Sequence, residues 1–174
     1  MSLFQNELDV ASIDLNQRLK ADIQHYFNAT GYTVVSTETI SKGLLGLSLS
    51  NLIPKEQYIA NIVCHSPRSF KDACGLPVKL IPSLPTADFA QELAGFMAEK
   101  TAADVSVALL GINGIPKNDV LISRVFIGYS FNKNKSVKVL ELSGSLKVVL
   151  EQSVVATLGF LQTLFLKYGK KIAD

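Results

Sequence analysis

A run of hydroxyl groups lies between a predicted strand and a predicted helix. The residues are Ser36-Thr37-Glu38-Thr39-Ile40-Ser41-Lys42-Gly43. A helix N-terminus presents unpaired N–H groups and the positive end of the helix dipole, so this place suits an anion or a developing oxyanion. Thr39 is a candidate nucleophile, with Ser41 or Lys42 to assist it. The alternative is simple helix capping by Ser36 or Thr37, with the other hydroxyls solvated.

Two further groups of residues have types that are found in functional sites. Gly111 and Gly114 follow a predicted central strand, where glycines let the backbone approach a phosphate or another loop. The same pair is also typical of a tight turn. Cys64-His65 with Cys74 supplies at most three ligands at a spacing that matches no standard zinc pattern, so we expect no metal. At a strand end, His65 is expected to make a polar contact or to face solvent rather than to catalyse.

The composition excludes several classes of protein. Of the 174 residues, 48% are hydrophobic and 18% are charged, so the chain is expected to fold into a sizeable core. The net charge of +2, without a basic stripe, argues against nucleic acid. The N-terminus carries acidic residues and lacks the pattern of a signal peptide. The apolar stretch at 153–166 is shorter than the ~18–20 residues of a membrane span and favours a buried helix. We expect a cytoplasmic protein with reduced cysteines.

The elements that must position these residues alternate along the chain. Apolar periodicity and turn signals predict a first helix at about 13–29 with Asp14 as its cap, and further helices between the hydroxyl-rich run and Pro54, from Thr86 to about 100, and at about 145–168. Strands are predicted at 32–35, 58–64, 105–110, 120–131 and 136–142, the last two as a hairpin, and 111–119 as a turn cluster. This order predicts a single α/β domain over 1–174, a three-layer α/β/α sandwich with a mixed β-sheet. Ligands in such folds bind beyond the carboxyl ends of the strands.

Several motifs in this order resemble the C-terminal domain of the CinA (competence/damage-inducible protein) family. Thr37-Glu38-Thr39-Ile40-Ser41-Lys42-Gly43 is similar to the family's T-A-E-S-C-T-G-G motif, with Glu38 on its Glu and Gly43 on its last Gly. Ser66 and Gly75 match a second motif, and Ala103-Asp104-Val105 resembles the close of a family helix. The segment 110–116 resembles the family's T-G-I-A-G-P loop. The resemblance covers roughly residues 32–166.

The resemblance implies an activity, and the sequence departs from it at polar positions. The family includes nicotinamide mononucleotide deamidases, amidohydrolases understood to use the serine of the first motif as nucleophile. Thr39 stands at that serine and His65 at a tyrosine. The family's lysine, threonine and two arginines align with Phe70, Leu110, Leu146 and Leu150, although Lys71 lies one residue from the lysine position.

Three hypotheses follow from these departures. The first is a diverged CinA-like pseudoenzyme that serves as a binding or assembly module, and the second is an active nicotinamide-nucleotide amidase of altered specificity. A nucleotide-binding regulator is the third. The resemblance implies a mononucleotide ligand, no cofactor, and a homo-oligomer, most simply a dimer. The candidate catalytic residues are Thr39, Ser41, His65 and Lys71. The candidate ligand-binding residues are Ser36, Thr37, Glu38, Lys42, Gly43, Ser66, Gly111, Asn113 and Gly114.

Overall fold

Helices and strands alternate through the first two thirds of the chain and are followed by a long hairpin and a long helix. The computed structural model describes residues 17–118 and 120–169. The α-helices are α1 (Gln17–Thr30), α2 (Leu44–Leu52), α3 (Ser69–Cys74), α4 (Ala87–Thr101) and α5 (Leu146–Tyr168), with a 3-10 turn at Val78–Leu80. The strands are β1 (Val34–Glu38), β2 (Tyr58–Val63), β3 (Val105–Asn113), β4 (Leu121–Phe131) and β5 (Asn134–Gly144).

The strands form one mixed sheet in the order β2-β1-β3-β4-β5. Strand β1 is parallel to both of its neighbours, β2 and β3. Strand β4 is antiparallel to both of its neighbours, β3 and β5. Because β1 and β3 run in the same direction, the ends of both strands lie at one edge of the sheet, where residues 39–43 and the segment after Asn113 meet. The predicted mixed sheet is confirmed.

Helices cover both faces of this sheet and give two apolar cores. On one face α1, α2 and α5 pack together, and Phe27, Leu49 and Leu158 are among the side chains that they bury. On the other face α3 and α4 bury Phe70 and Leu93 against the sheet. The predicted three-layer α/β/α sandwich is therefore confirmed.

Local signals placed most of the element ends correctly. Thr86 caps α4 by accepting a hydrogen bond from the Phe89 N–H at 3.1 Å, as its sequence position predicts. Gly31 ends α1 with φ 68°, a conformation that suits glycine. The β4–β5 turn consists of Asn132 and Lys133, both with positive φ, as in a tight hairpin. Asp14, the predicted cap of α1, lies outside the described residues.

Two predicted boundaries are wrong, and both bear on the site. Strand β1 continues through Ser36, Thr37 and Glu38, which were expected in a turn. Strand β3 continues through Gly111 to Asn113, which were expected in a loop. Both strands are longer than expected because they pair with neighbouring strands, which the local sequence does not reveal. Strand β1 is hydrogen-bonded to β2 on one side and to β3 on the other, and its buried polar side chains form hydrogen bonds with groups inside the protein.

Helix α5 has the length and apolar composition of a membrane span, yet it serves as a core helix here. It is 23 residues long, and half of its most apolar window is buried inside the protein. Ser153 and Thr157 are also buried, with their hydroxyls donating to helix carbonyls within the same helix. A helix packed against α1 and the sheet passes the same compositional test, so the expectation of a buried helix is confirmed.

Candidate functional site

Glu38 is the centre of the polar network at the end of β1. Its side chain has no exposed surface. One carboxylate oxygen accepts from the Asn61 Nδ2 at 2.6 Å and the Gly46 N–H at 3.0 Å. The other accepts from the Leu45 N–H at 3.3 Å and, through a short contact, from the Ser41 hydroxyl. Four donors therefore surround a carboxylate that solvent does not reach.

The first turn of α2 is consequently already bonded within the protein. The helix begins after Gly43, which has φ 99° and offers no capping side chain. The expected capping by Ser36 or Thr37 is therefore wrong, because both residues lie in the strand and Glu38 fills the role. The Leu44 N–H is also bonded, to the Ser41 carbonyl at 3.0 Å. The N–H groups of 44–46 are thus not available as the oxyanion donors that the sequence suggested at this helix end.

Ser36 and Thr37 are fully buried strand residues. The Ser36 hydroxyl donates to the Asn61 Oδ1 at 2.8 Å and shares a hydrogen bond with the Tyr58 hydroxyl at 2.8 Å. Thr37 donates to the Val107 carbonyl at 3.4 Å. Both side chains hold neighbouring strands together, and neither has surface that a ligand reaches directly.

Thr39 leaves the strand and reaches towards β3. Its N–H donates to the Leu109 carbonyl at 3.0 Å, and its Oγ1 accepts from the Gly111 N–H at 3.3 Å. The residue is half-buried. Within residues 17–118 and 120–169, no side chain forms a hydrogen bond with this hydroxyl, and the Ser41 hydroxyl is directed to Glu38. The candidate nucleophile therefore stands without a general base in contact with it.

An open cleft of about 520 Å³ lies beside this point and joins three segments of the chain. Lys42 enters it from the loop before α2, Asn113 from the end of β3, and Ser145 from the cap of α5. Asn113 accepts from the Ser123 hydroxyl through its Oδ1 at 2.8 Å, which leaves its amide N–H groups for the cleft. The lining residues are Lys42, Asn113, Gly114, Pro116, Leu121, Ser145 and Leu146. Among the lining residues that the structure describes, Lys42 is the one with a charged side chain, and it brings an ammonium group to the cleft.

The two glycines of 111–114 make room for protein atoms. A Cβ on Gly111 would overlap the Ile40 side chain, and one on Gly114 would lie 2.8 Å from the Ile122 carbonyl oxygen. Gly111 therefore allows Ile40 to cross the sheet edge. The Gly114 N–H donates to the same Ile122 carbonyl at 2.8 Å, which extends the pairing of β3 with β4 by one residue. Gly114 also lines the cleft, whereas Gly111 does not.

His65, Ser66 and Lys71 form a separate group beyond the end of β2. His65 and Lys71 are exposed, and Ser66 shares a hydrogen bond with Ser69 at 3.1 Å at the start of α3. Cys64 links this group to the network, because its N–H donates to the Glu38 carbonyl at 2.9 Å. These three residues do not line the cleft, so the structure divides the predicted site between two places at one end of the sheet.

Burial perturbs three acids on or next to β2 and α3. It raises the pKa of Tyr58 from 10.0 to about 12, against the lowering effect of its hydrogen bond with Ser36 and with a further rise from the Glu38 charge. It also raises the pKa of Cys64 from 9.0 to about 11, with Cys74 adding to the rise. The pKa of Cys74 is raised by the same burial. Both thiols are therefore protonated and unreactive at neutral pH.

No group of three His, Cys, Asp or Glu side chains within residues 17–118 and 120–169 is arranged to hold a metal ion. Within the network around Glu38, the sequence analysis did not predict a role for Asn61, which bonds both Ser36 and Glu38. A polar side chain in the middle of the apolar strand Tyr58–Val63 was the available signal, because a half-buried amide needs partners.

Comparison with known proteins identifies the family. The model of the CinA C-terminal domain matches residues 16–165. The chain belongs to the CinA C-terminal domain family. The family's first motif thus corresponds to the end of β1 with its buried glutamate, and the loop motif to the end of β3, so the fold brings both motifs to one edge of the sheet. No curated protein matches the chain.

Solved CinA structures share the fold at low sequence identity. The competence damage-inducible protein A from Klebsiella pneumoniae superposes with a TM-score of 0.75 at 17% identity, over 87% of this chain and 97% of that one. A CinA superfamily protein from Escherichia coli has a TM-score of 0.69 at 19% identity, over 90% and 98% of the two chains. A competence or damage-inducible protein from Enterobacter asburiae has a TM-score of 0.70 at 17% identity, over 83% of this chain and 94% of that one.

Proposed function

We propose that this CinA-type domain is a binding module, diverged from nicotinamide mononucleotide deamidase, that holds a mononucleotide in the cleft at Lys42, Asn113 and Ser145. The observation that carries the proposal is this cleft, in which an ammonium group, an amide and the N-terminus of α5 converge. Ser145 accepts from the Val148 N–H, so the donors that this helix end offers are the N–H groups of Leu146 and Lys147. A helix N-terminus and a lysine both favour a phosphate group. Lys42 falls where the family motif has a glycine, so it supplies a cation of this chain's own.

The surroundings of Thr39 support binding without hydrolysis. A hydroxyl nucleophile needs a general base within hydrogen-bond reach. The Ser41 hydroxyl donates its hydrogen bond to Glu38. Glu38 accepts four hydrogen bonds, which connect it to the loop at Ser41, to α2 and to β2. Leu146 lines the cleft at the position aligned with a family arginine. The groups that remain recognise an anion but do not activate a hydroxyl.

One observation favours the alternative, an amidase of altered specificity that hydrolyses the carboxamide of nicotinamide mononucleotide. Thr39 Oγ1 accepts a hydrogen bond from the Gly111 N–H and is half-buried at the sheet edge, so its proton points away from that contact. His65, Ser66 and Lys71 lie beyond the neighbouring strand end. A shift of the segment 65–71 towards Thr39 would give this hydroxyl a base.

The test combines binding with turnover. A thermal-shift and calorimetric panel of mononucleotides, with nicotinamide mononucleotide included, is expected to show stabilisation of the wild-type chain. Lys42→Ala is expected to weaken that binding about tenfold or more, because a charge-assisted contact is lost. Lys55→Ala is the matched control, since Lys55 is exposed and does not line the cleft.

Each outcome separates the hypotheses. A flat response over the whole panel contradicts the binding role. Release of ammonia from nicotinamide mononucleotide that Thr39→Ala abolishes supports the amidase. Binding without ammonia release, at protein concentrations that reveal slow chemistry, supports the binding module.

For assembly, we propose a homodimer through the part of the sheet that α4 leaves uncovered. Ile122 and Val139 lie on that face and are 56% and 48% exposed. Arg124 and Glu141 are cross-strand partners between them, so a second copy related by a two-fold axis would place arginine against glutamate. Sedimentation is expected to show a dimer that Ile122→Lys converts to monomer. A monomeric wild-type chain contradicts this face.

A further inference from the structure

A second cavity lies at the opposite end of the sheet from the cleft. It measures about 720 Å³ and opens between the last turns of α4, the start of β3 and the β4–β5 hairpin. Gly95, Ala98 and Ala102 form its helical wall, and their small side chains leave the space open. Because Asp104 precedes β3 whereas Asn113 ends it, the length of a strand separates this cavity from the cleft.

Ser130 is a buried polar side chain of this cavity that lacks a partner. The residue is 3% exposed and lines the space. None of the hydrogen bonds formed among residues 17–118 and 120–169 uses its hydroxyl. The oxygen itself is open to the space of the cavity, so a polar group of a ligand can form a hydrogen bond with it there.

The charged residues of the cavity divide into two sets. Glu99 and Asp104 bring carboxylates from the C-terminal end of α4 and the residue before β3, next to the negative end of the helix dipole. Asp104 uses one oxygen for the Thr33 N–H at 2.8 Å and the Thr33 hydroxyl at 2.9 Å. Lys133 and Lys135 bring ammonium groups from the hairpin.

The end of the Lys135 side chain lies against Gly95 on α4. A Cβ on Gly95 would lie 2.7 Å from the Lys135 Nζ, so the glycine leaves room for the lysine in this position. The ammonium group forms an ion pair with Glu92 at 3.3 Å and is 34% exposed. The lysine is therefore positioned at the rim, with its charge partly neutralised by Glu92.

We propose that this cavity binds a small zwitterion of the free amino-acid type. Its ammonium group lies towards Glu99, Asp104 and the end of α4. Its carboxylate lies towards Lys133 and Lys135, and the Ser130 hydroxyl donates to it. A simple anion or a simple cation would meet one set of charges well and the other badly, whereas a zwitterion satisfies both. This site is independent of the cleft and of the proposed function there.

The probes are the standard free amino acids, tested singly by saturation-transfer NMR and calorimetry on the full chain. For any that binds, the matching carboxylic acid without the amino group and the matching amine without the carboxylate are tested in parallel. Both are expected to bind at least about tenfold more weakly, because each leaves one set of charges unpaired.

Two serine variants locate the binding. Ser130→Ala is expected to weaken binding about tenfold, because a charge-assisted hydrogen bond is removed, while the stability of the free protein stays unchanged or rises. Ser106→Ala is the matched control. Ser106 lies opposite Ser130 in the β3–β4 pairing, but its hydroxyl is buried without a partner among the described residues and does not line the cavity. The Ser106→Ala variant is expected to bind the amino acid as tightly as the wild type does.

Lys135→Met gives a second probe that keeps the apolar stem over Gly95 and removes the charge. It is expected to weaken binding, whereas Lys55→Ala, at an exposed lysine that lines neither the cavity nor the cleft, leaves binding unchanged. The proposal is overturned if no amino acid binds at millimolar concentration, or if Ser130→Ala and Lys135→Met both bind as the wild type does. It is also overturned if the acid or the amine alone binds as well as the zwitterion.

Discussion

At the scale of single residues, Glu38 connects the family motif to the architecture. Its carboxylate receives hydrogen bonds from the loop at Ser41, from the first turn of α2 and from Asn61 on β2. A carboxylate without solvent is stable only when such donors compensate the loss of hydration. The glutamate of the motif thus serves the fold, independently of any chemistry at Thr39.

Replacing this carboxylate is expected to be severe. Glu38→Ala leaves the Leu45 and Gly46 N–H groups and the Asn61 amide without an acceptor, so the free energy of unfolding should fall by about 3 kcal/mol or more. Chemical denaturation measures this change. Glu56→Ala, at an exposed glutamate before β2, is expected to change stability by less than about 0.5 kcal/mol. Equal stabilities of the two variants would contradict the role given to Glu38.

The sequence singled out the polar residues near the first motif but did not predict their partners. Ser36, Thr37 and Glu38 were expected to face a ligand from a turn, and the structure buries them in a strand. Hydroxyl and carboxylate types do not reveal whether their partner is a ligand or a neighbouring strand. The partner here is Asn61, 23 positions away from Glu38, and that contact exists only in the folded chain.

At the scale of elements, the approach of α2 to β2 depends on one glycine. A Cβ on Gly46 would overlap the Asn61 side chain, which cannot move without losing its bonds to Ser36 and Glu38. The helix can therefore lie this close to the strand only if position 46 has no side chain. Local propensity favours alanine at this position by about 1 kcal/mol, so tertiary contact overrides it.

Two glycine variants test this claim. Gly46→Ala is expected to destabilise the protein by about 1–3 kcal/mol through overpacking, despite its gain in helix propensity. Gly159→Ala, in the middle of α5 with open space around its Cβ position, is expected to stabilise it by up to about 1 kcal/mol. Denaturant midpoints of both variants give the comparison. The same sign of change in both would contradict the steric argument.

Element types were more predictable than element ends. The caps Thr86 and Gly31 and the hairpin at Asn132 follow from short-range rules, and the structure confirms them. The ends of β1 and β3 do not, because they depend on which strands pair. The cleft likewise joins Lys42, Asn113 and Ser145 from distant segments. Of its lining residues, sequence alone suggested Lys42, Asn113 and Gly114 as ligand contacts but not Ser145.

At the scale of the whole molecule, stability is expected to depend on alkaline pH. Burial raises the pKa of Tyr58 from 10.0 to about 12, and the pKa of the fully buried Tyr129 is also raised. Because the unfolded chain loses these protons first, the stability that they contribute is complete below pH 10 and decreases as the pH rises towards about 12.

Tyr58→Phe separates the contribution of one tyrosine. The variant lacks this ionisation, so its free energy of unfolding should decrease less steeply above pH 10 than that of the wild type. Tyr129 is still present in this variant, so part of the decrease in the free energy of unfolding with pH should remain. Unfolding curves measured at successive pH values give both slopes, and parallel slopes would contradict the assignment to Tyr58.

The mixed sheet also has a consequence for the order in which the chain folds. Strands β4 and β5 meet through the two-residue turn Asn132-Lys133, whereas Thr33, just before β1, bonds Asp104, which lies 71 positions away in the sequence. Closing a short loop costs less conformational entropy than closing a long one. Strand pairs between distant parts of the sequence therefore form slowly. The hairpin is therefore expected to form early, and β1, with the family motif at its end, to enter the sheet late. The cleft beside Thr39 should be among the last parts of the molecule to take shape after synthesis.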